Sequence, residues 1–226
     1  MRSTGDIMFG LFSKKDDDPK PRHPGLASPL QLRLGAAVRL DSILSKVLGD
    51  GRYVLELPES GKFLTVESQG FVDLGEGVKL HRFYLDDDWW LQVKVSGTVL
   101  TDSDAGIDEI HLFGFGDVLS PSSQSEFEEM AGRIGLPTYS YADKSYDRLW
   151  GQGSGLAATA DFQERVYPAQ EASYGVRHQD MLHSRAIAGS ERPEFLLVSV
   201  ETDDQGEVSV VHSVGIALSA ADIEIT

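Results

Sequence analysis

The sequence predicts an α+β fold that is predominantly antiparallel β, a small barrel or meander-type sheets with one clear helix. Three observations carry this. Short β-type segments follow one another closely, separated by Gly-, Asp- and Ser-rich turns. One segment alone combines helical periodicity with proper caps. The regular strand–helix alternation that a parallel sheet requires is missing.

Residues 1–27 read as a flexible N-terminal tail rich in Pro, Lys and Asp, with little to bury. Its one apolar patch, Ile7–Phe12, precedes Lys14 and Lys15. Phe9 and Phe12 are therefore candidate partner contacts, and the two lysines suit anionic headgroups. A single short patch gives only marginal membrane affinity, so the competing reading is an inert start peptide. From residue 28 to 226 a β-rich globular region is expected, either one unit or two lobes (28–120 and 156–226) bridged by a helix near 123–134. Leu30, Leu32 and Leu34 alternate with polar residues as in a half-buried strand. Asp41–Leu48 reads as a short helix stopped by Gly49 and Gly51. Strands are expected at Tyr53–Leu57, Phe63–Glu67, Val78–Leu85, Trp89–Val95 and Ile107–Phe113. Ser123 and Glu126 form a capping-box pattern, with Phe127, Met130 and Ile134 on one helix face and Gly135 and Pro137 ending it. Tyr139–Gly155 reads as a connecting loop. Strands follow at Phe162–Tyr167, Met181–Ile187, Phe195–Glu201 and Val208–Val214, the last two joined by the Asp203–Gly206 turn. Ser219–Asp222 has the residues for one helical turn.

The chain has 226 residues, no cysteine and a formal net charge of -16. Thiolate zinc sites, disulfides and cysteine nucleophiles are thereby excluded. The charge opposes nucleic-acid binding, whose basic footprint is missing. Residues 1–24 hold five Lys or Arg against four Asp, so the negative excess lies in the body. No apolar run is long enough to span a bilayer, and the start lacks a signal-peptide pattern. A cytoplasmic location is expected, with a peripheral place at the inner membrane if the tip engages lipid.

Several chemistries fail on spacing. In Asp102–Phe113 glycine is fifth and the twelfth residue is Phe113, unlike a calcium loop. Gly151–Gly155 has Gln152 two before Ser154, unlike a nucleophile elbow, and Leu156 where a dinucleotide fingerprint needs glycine. No metal site, cofactor or catalytic residue is assigned. The densest polar cluster is His178, Asp180, His183 and Arg185. His178, His183 and Arg185 are the candidate ligand-binding residues. The bland reading is a His and an Arg hydrogen-bonded at a sheet edge. Asp86, Asp87 and Asp88 lead into Trp89 and Trp90, which point to opposite faces of a strand. These five are candidate partner-binding residues, because an exposed Trp is a hot-spot type. The alternative is a Trp covering a barrel end.

The N-terminal Met8–Lys15, the stretch Val72–Leu85 with Trp90–Val93, and Met181–Arg185 resemble the YjfK-like family of uncharacterised bacterial proteins. The resemblance takes in Met8 and residues 26–226. The family usually carries an aromatic residue where His183 stands, which argues against a catalytic His183. The resemblance implies an envelope-stress context. That context includes a coiled-coil protein similar to phage shock protein A, a small membrane protein, and an ATP-grasp ligase similar to glutathionylspermidine synthetase. It implies no catalytic residues. The expected function is therefore a non-enzymatic cytoplasmic adaptor that binds the coiled-coil or the membrane partner. The alternative is a binding protein for a polyamine or peptide that serves the ligase.

Overall fold

Two runs of four consecutive strands build the structure. The computed structural model describes residues 28–48, 51–97 and 106–226; the tail, with Phe9 and Phe12, lies outside them. The first run is β2 (Leu64–Gly75), β3 (Val78–Leu85), β4 (Trp89–Ser96) and β5 (Ile107–Leu119). The second is β8 (Ala160–Pro168), β9 (Tyr174–Arg185), β10 (Glu194–Asp203) and β11 (Val208–Leu218). Each run is an antiparallel meander of neighbours in sequence. β5 pairs β11 along its length, with Gly114 opposite Val214, and β2 pairs β8, with Gly70 opposite Val166. The eight strands thus close into one antiparallel barrel, and residues 28–120 and 156–226 each contribute half of its wall. Closure removes most of the free edge that an open sheet would present.

The remaining elements lie against the wall. They are β1 (Ala37–Leu40), α1 (Ser42–Leu48), α2 (Gln124–Ile134), the hairpin β6 (Thr138–Tyr141) and β7 (Lys144–Arg148), and β12 (Ile223–Ile225). β1 joins β2 to β12, and β7 pairs the end of β9. The Ser123 hydroxyl accepts the Glu126 N–H as the capping pattern requires, while the Glu126 carboxylate turns back to the Ser122 N–H and hydroxyl. The extended stretch Tyr53–Leu57 forms no strand. The Val54 and Leu55 N–H groups donate instead to the Glu194 carboxylate, at 2.6 and 2.8 Å. Leu30, Leu32 and Leu34 are not in a strand either. Pro29–Gln31 makes a 3-10 turn in which Leu30 and Gln31 have positive φ, and Leu30 and Leu32 are buried all the same. Tyr139–Gly155, expected as loop, contains the β6–β7 hairpin, whose Tyr146 is fully buried.

Two apolar layers result. The larger lies outside the barrel wall, where Phe83, Leu91, Leu112, Leu196 and Ile216 pack with Leu44, Leu55 and Ile134 of the covering segments. The smaller, on the opposite strand faces, centres on Trp90, Phe113 and Leu197. This face is the inner one, because Arg82 on β3 reaches a carboxylate on β8 across β2 and one on β9 across β2 and β8. Two glycines in the wall make room for bulky inner groups. A Cβ on Gly70 would lie 1.6 Å from Glu164 Oε1, and one on Gly215 would lie 2.4 Å from the Phe113 ring.

Candidate functional site

The barrel interior buries an arginine, a histidine and two carboxylates together. Arg82 stands in a strand whose inner face otherwise holds Leu80 and Tyr84. Its guanidinium donates from Nη1 to Glu164 Oε2 at 2.9 Å, from Nη2 to Asp180 Oδ2 at 3.0 Å, and from Nε to Gln92 Oε1 at 3.1 Å. Its Cζ lies 5.0 Å from the Trp90 ring centre and 5.3 Å from that of Phe162, so two aromatic faces flank the cation. Glu164, fully buried, also accepts from the Tyr84 hydroxyl at 2.9 Å. His178 completes the group: Nε2 meets Glu164 Oε2 at 2.8 Å, Nδ1 meets the Ser199 hydroxyl at 3.2 Å, and Phe162 stacks at 5.3 Å.

Burial opposes the Glu164 charge, but Arg82, His178 and the Tyr84 hydroxyl outweigh it and hold its pKa at about 2. Burial and the adjacent Arg82 likewise disfavour a charged His178. The Glu164 hydrogen bond and the Glu201 and Glu164 charges overcome both, and the His178 pKa is raised above its ordinary 6.5. Glu201 is pushed the other way, its pKa raised by burial first and by Asp180, with His178 opposing. The His178 contribution to stability is therefore fully present below pH 6.5 and lost as pH rises through the raised value. The Glu164 contribution is present above pH 4.5 and lost as pH falls through about 2. Thermal melts of the native protein and His178→Gln, taken from about pH 5 to about pH 9, should show the widest gap at the acid end, narrowing as pH rises. A gap that widens with pH would contradict this assignment.

Arg82 and His178 thus stand against the Glu164, Asp180 and Glu201 carboxylates. The Arg82 cation comes from the first meander and the carboxylates from the second, so the network fastens the two half-barrels together in one register. It lies in a packed interior, and among the described residues no three His, Asp or Glu side chains are placed to hold a metal ion.

The residues singled out in sequence are dispersed. β9 runs from Tyr174 to Arg185 and puts His178 and Asp180 inside the barrel, with His183 and Arg185 on the outer face. His183 is fully buried, with its ring centre 5.4 Å from that of Tyr139, and burial lowers its pKa against the pull of nearby carbonyls. Arg185 donates to Glu194 Oε2 from Nε at 2.7 Å and to the Arg52 carbonyl at 2.9 Å. Trp90 is 2 % exposed inside the barrel. Trp89 is half-buried against the outer layer. Asp87 and Asp88 are exposed with positive φ, as a tight hairpin turn requires, and Asp87 pairs with Lys62. The Asp86 carboxylate accepts the Thr65 N–H at 3.1 Å.

Outside the barrel, another construction was not legible in sequence. Arg148, at the end of β7, donates to four carbonyls: Gly135 and Gly155 from Nη1 (2.7 and 2.5 Å), Gln152 and Gly153 from Nη2 (3.1 and 2.7 Å). The Ala157 N–H bonds the Gly135 carbonyl at 2.8 Å, and Trp150 Nε1 donates to the Ala158 carbonyl at 3.1 Å. The glycine-rich loop is thus folded around one guanidinium. On the three segments so tied stand Leu136, Leu149, Trp150 and Leu156, exposed by 37, 49, 37 and 63 %.

The model of the family described as "Protein of unknown function (DUF2491)" matches residues 8–224. The chain belongs to this DUF2491 family. It is 28 % identical over 206 residues, 88 % of this chain and 90 % of the relative, to the uncharacterized protein YjfK of Escherichia coli strain K12. No solved structure matches it. Among the described residues of this DUF2491 chain, no helix is long and apolar enough to cross a membrane.

Proposed function

We propose that this protein is a non-enzymatic adaptor that docks an amphipathic helix of a partner protein, such as a face of a coiled coil, on the platform formed by Leu136, Leu149, Trp150 and Leu156. The observation that carries this reading is the exposure of four large apolar side chains on the three segments that Arg148 ties together. Scattered exposed apolar residues need no explanation, but a group tied to one polar staple is the pattern of a prepared contact surface. Pre-ordering lowers the entropic cost of docking, and a Trp is a preferred anchor. The net charge of -16 favours a helix whose apolar stripe is flanked by Lys or Arg. The charged interior gives no support to catalysis, because Arg82, Glu164 and His178 are bonded to one another in a packed space. The resemblance noted in the sequence makes a coiled-coil partner of an envelope-stress system the natural first candidate.

The test is affinity capture from gently solubilised native cells with the full chain and with Trp150→Asp combined with Leu156→Asp, both confirmed folded by circular dichroism. A coiled-coil or amphipathic-helix protein should be retained by the native chain and lost from the double variant. Retention of the same proteins by both forms would sink the proposal.

A further inference from the structure

The barrel is not closed evenly. β2 and β8 pair only through Ser68–Phe71 and Arg165–Pro168. Beyond this short ladder, residues 72–75 of β2 pair β3 alone and residues 160–164 of β8 pair β9 alone. Two stretches of strand edge, one on each side of this seam, therefore have no ladder partner among the described residues. A cleft of about 380 Å³ occupies it, with Phe71, Leu74 and Phe162 as its apolar lining and Asp73, Asp161 and Arg165 around them. Leu74 is 44 % exposed there. Asp161 is held by Arg177, and Arg165 donates to the Ser173 hydroxyl. Asp73 accepts its own turn's Gly75 N–H and has no ion-pair partner among the described residues.

We propose that this seam binds an extended peptide segment of a partner by strand addition, a surface separate from the platform above. A strand edge recognises main chain through its unpaired N–H and C=O groups, and pockets for alternate side chains add selectivity. Here the edge supplies the main-chain contacts. Phe71, Leu74 and Phe162 take one apolar side chain, and basic residues flanking it are drawn by the acidic field of the whole molecule. Free edges are a hazard that proteins blunt with charge or cover. This one carries an exposed Leu and two Phe rings beside its charges.

The probe is a fluorescein-labelled, capped peptide alternating Lys and Val, titrated against the full chain at physiological salt by anisotropy. Saturable binding is expected, weakened at least about tenfold by N-methylation of the Val amides, the effect of losing one or more main-chain hydrogen bonds. A similar loss is expected for Leu74→Lys, whose exposed position leaves the fold intact by circular dichroism. Amide exchange should slow on binding within residues 72–75 or 160–164. Failure to saturate overturns the proposal, as does equal affinity for the N-methylated peptide, which would mean attraction by charge alone. Self-association that Leu74→Lys abolishes would assign the edge to a second copy of this chain and equally overturn it.

Discussion

Arg82→Met should destabilise the protein by about 3–5 kcal/mol, the range for stranding buried partners of a broken ion pair. The substitution keeps an unbranched apolar stem on β3 but leaves Glu164 and Asp180 without their cation. Carboxylates 0 and 3 % exposed cannot recover their hydration without opening the wall. Urea unfolding at neutral pH measures the effect, and for a domain of this size the midpoint temperature should drop on the order of 10 °C. The triple variant R82M/E164L/D180L is the control. Removing Arg82 together with both its carboxylates strands neither sign and leaves His178 beside Glu201, so most of the loss should return. A single variant as stable as the native protein, or a triple variant worse than the single, would show that the network does not fasten the two meanders.

Glu194→Leu should cost a similar amount, again about 3–5 kcal/mol, but with its damage localised. Glu194 is fully buried and accepts from Arg185, the Tyr146 hydroxyl at 2.8 Å and the Val54 and Leu55 N–H groups. One carboxylate thus stands in for the strand that Tyr53–Leu57 never joins, while holding the β6–β7 hairpin through Tyr146. Leu fills the space but strands every donor. Hydrogen exchange should accelerate first in residues 52–55 and 144–148, ahead of the barrel strands. Unchanged protection of those two segments would contradict the assignment.

Much of this architecture is legible in the residues, and what is not has a common cause. Period-2 patterning and turn chemistry mark the barrel strands, and the Ser123–Glu126 pattern marks α2, because these signals are local. The hairpin around Ala142 and Asp143 is hidden, since both take positive φ without a glycine to announce it. Tyr53–Leu57 looks like a strand because its alternation is real; only its partner is a side chain. The interior network was signalled by charges at positions where strand parity demands apolar residues. Arg82 shares its face with Leu80 and Tyr84, and Glu164 shares its face with Phe162 and Val166. Each alone reads as an exception. Only the closure of the barrel brings the opposite signs together, and closure is a long-range fact. The Arg148 staple is close in sequence yet equally hidden, since a glycine-rich loop advertises freedom until the guanidinium gathering its carbonyls is seen.

The two-meander construction also has a kinetic consequence. Within each half the pairings link neighbouring strands, so each half can assemble from contacts close in sequence. The two seams that complete the ring join residues about 100 positions apart, such as Gly114 with Val214 and Gly70 with Val166. The slow event of refolding is therefore expected to be the meeting of the two meanders. At that event Arg82 must shed its water and find both carboxylates at once. The same contact that secures the finished barrel thereby checks its register, since a ring mis-registered by one residue would turn the guanidinium away from its acids.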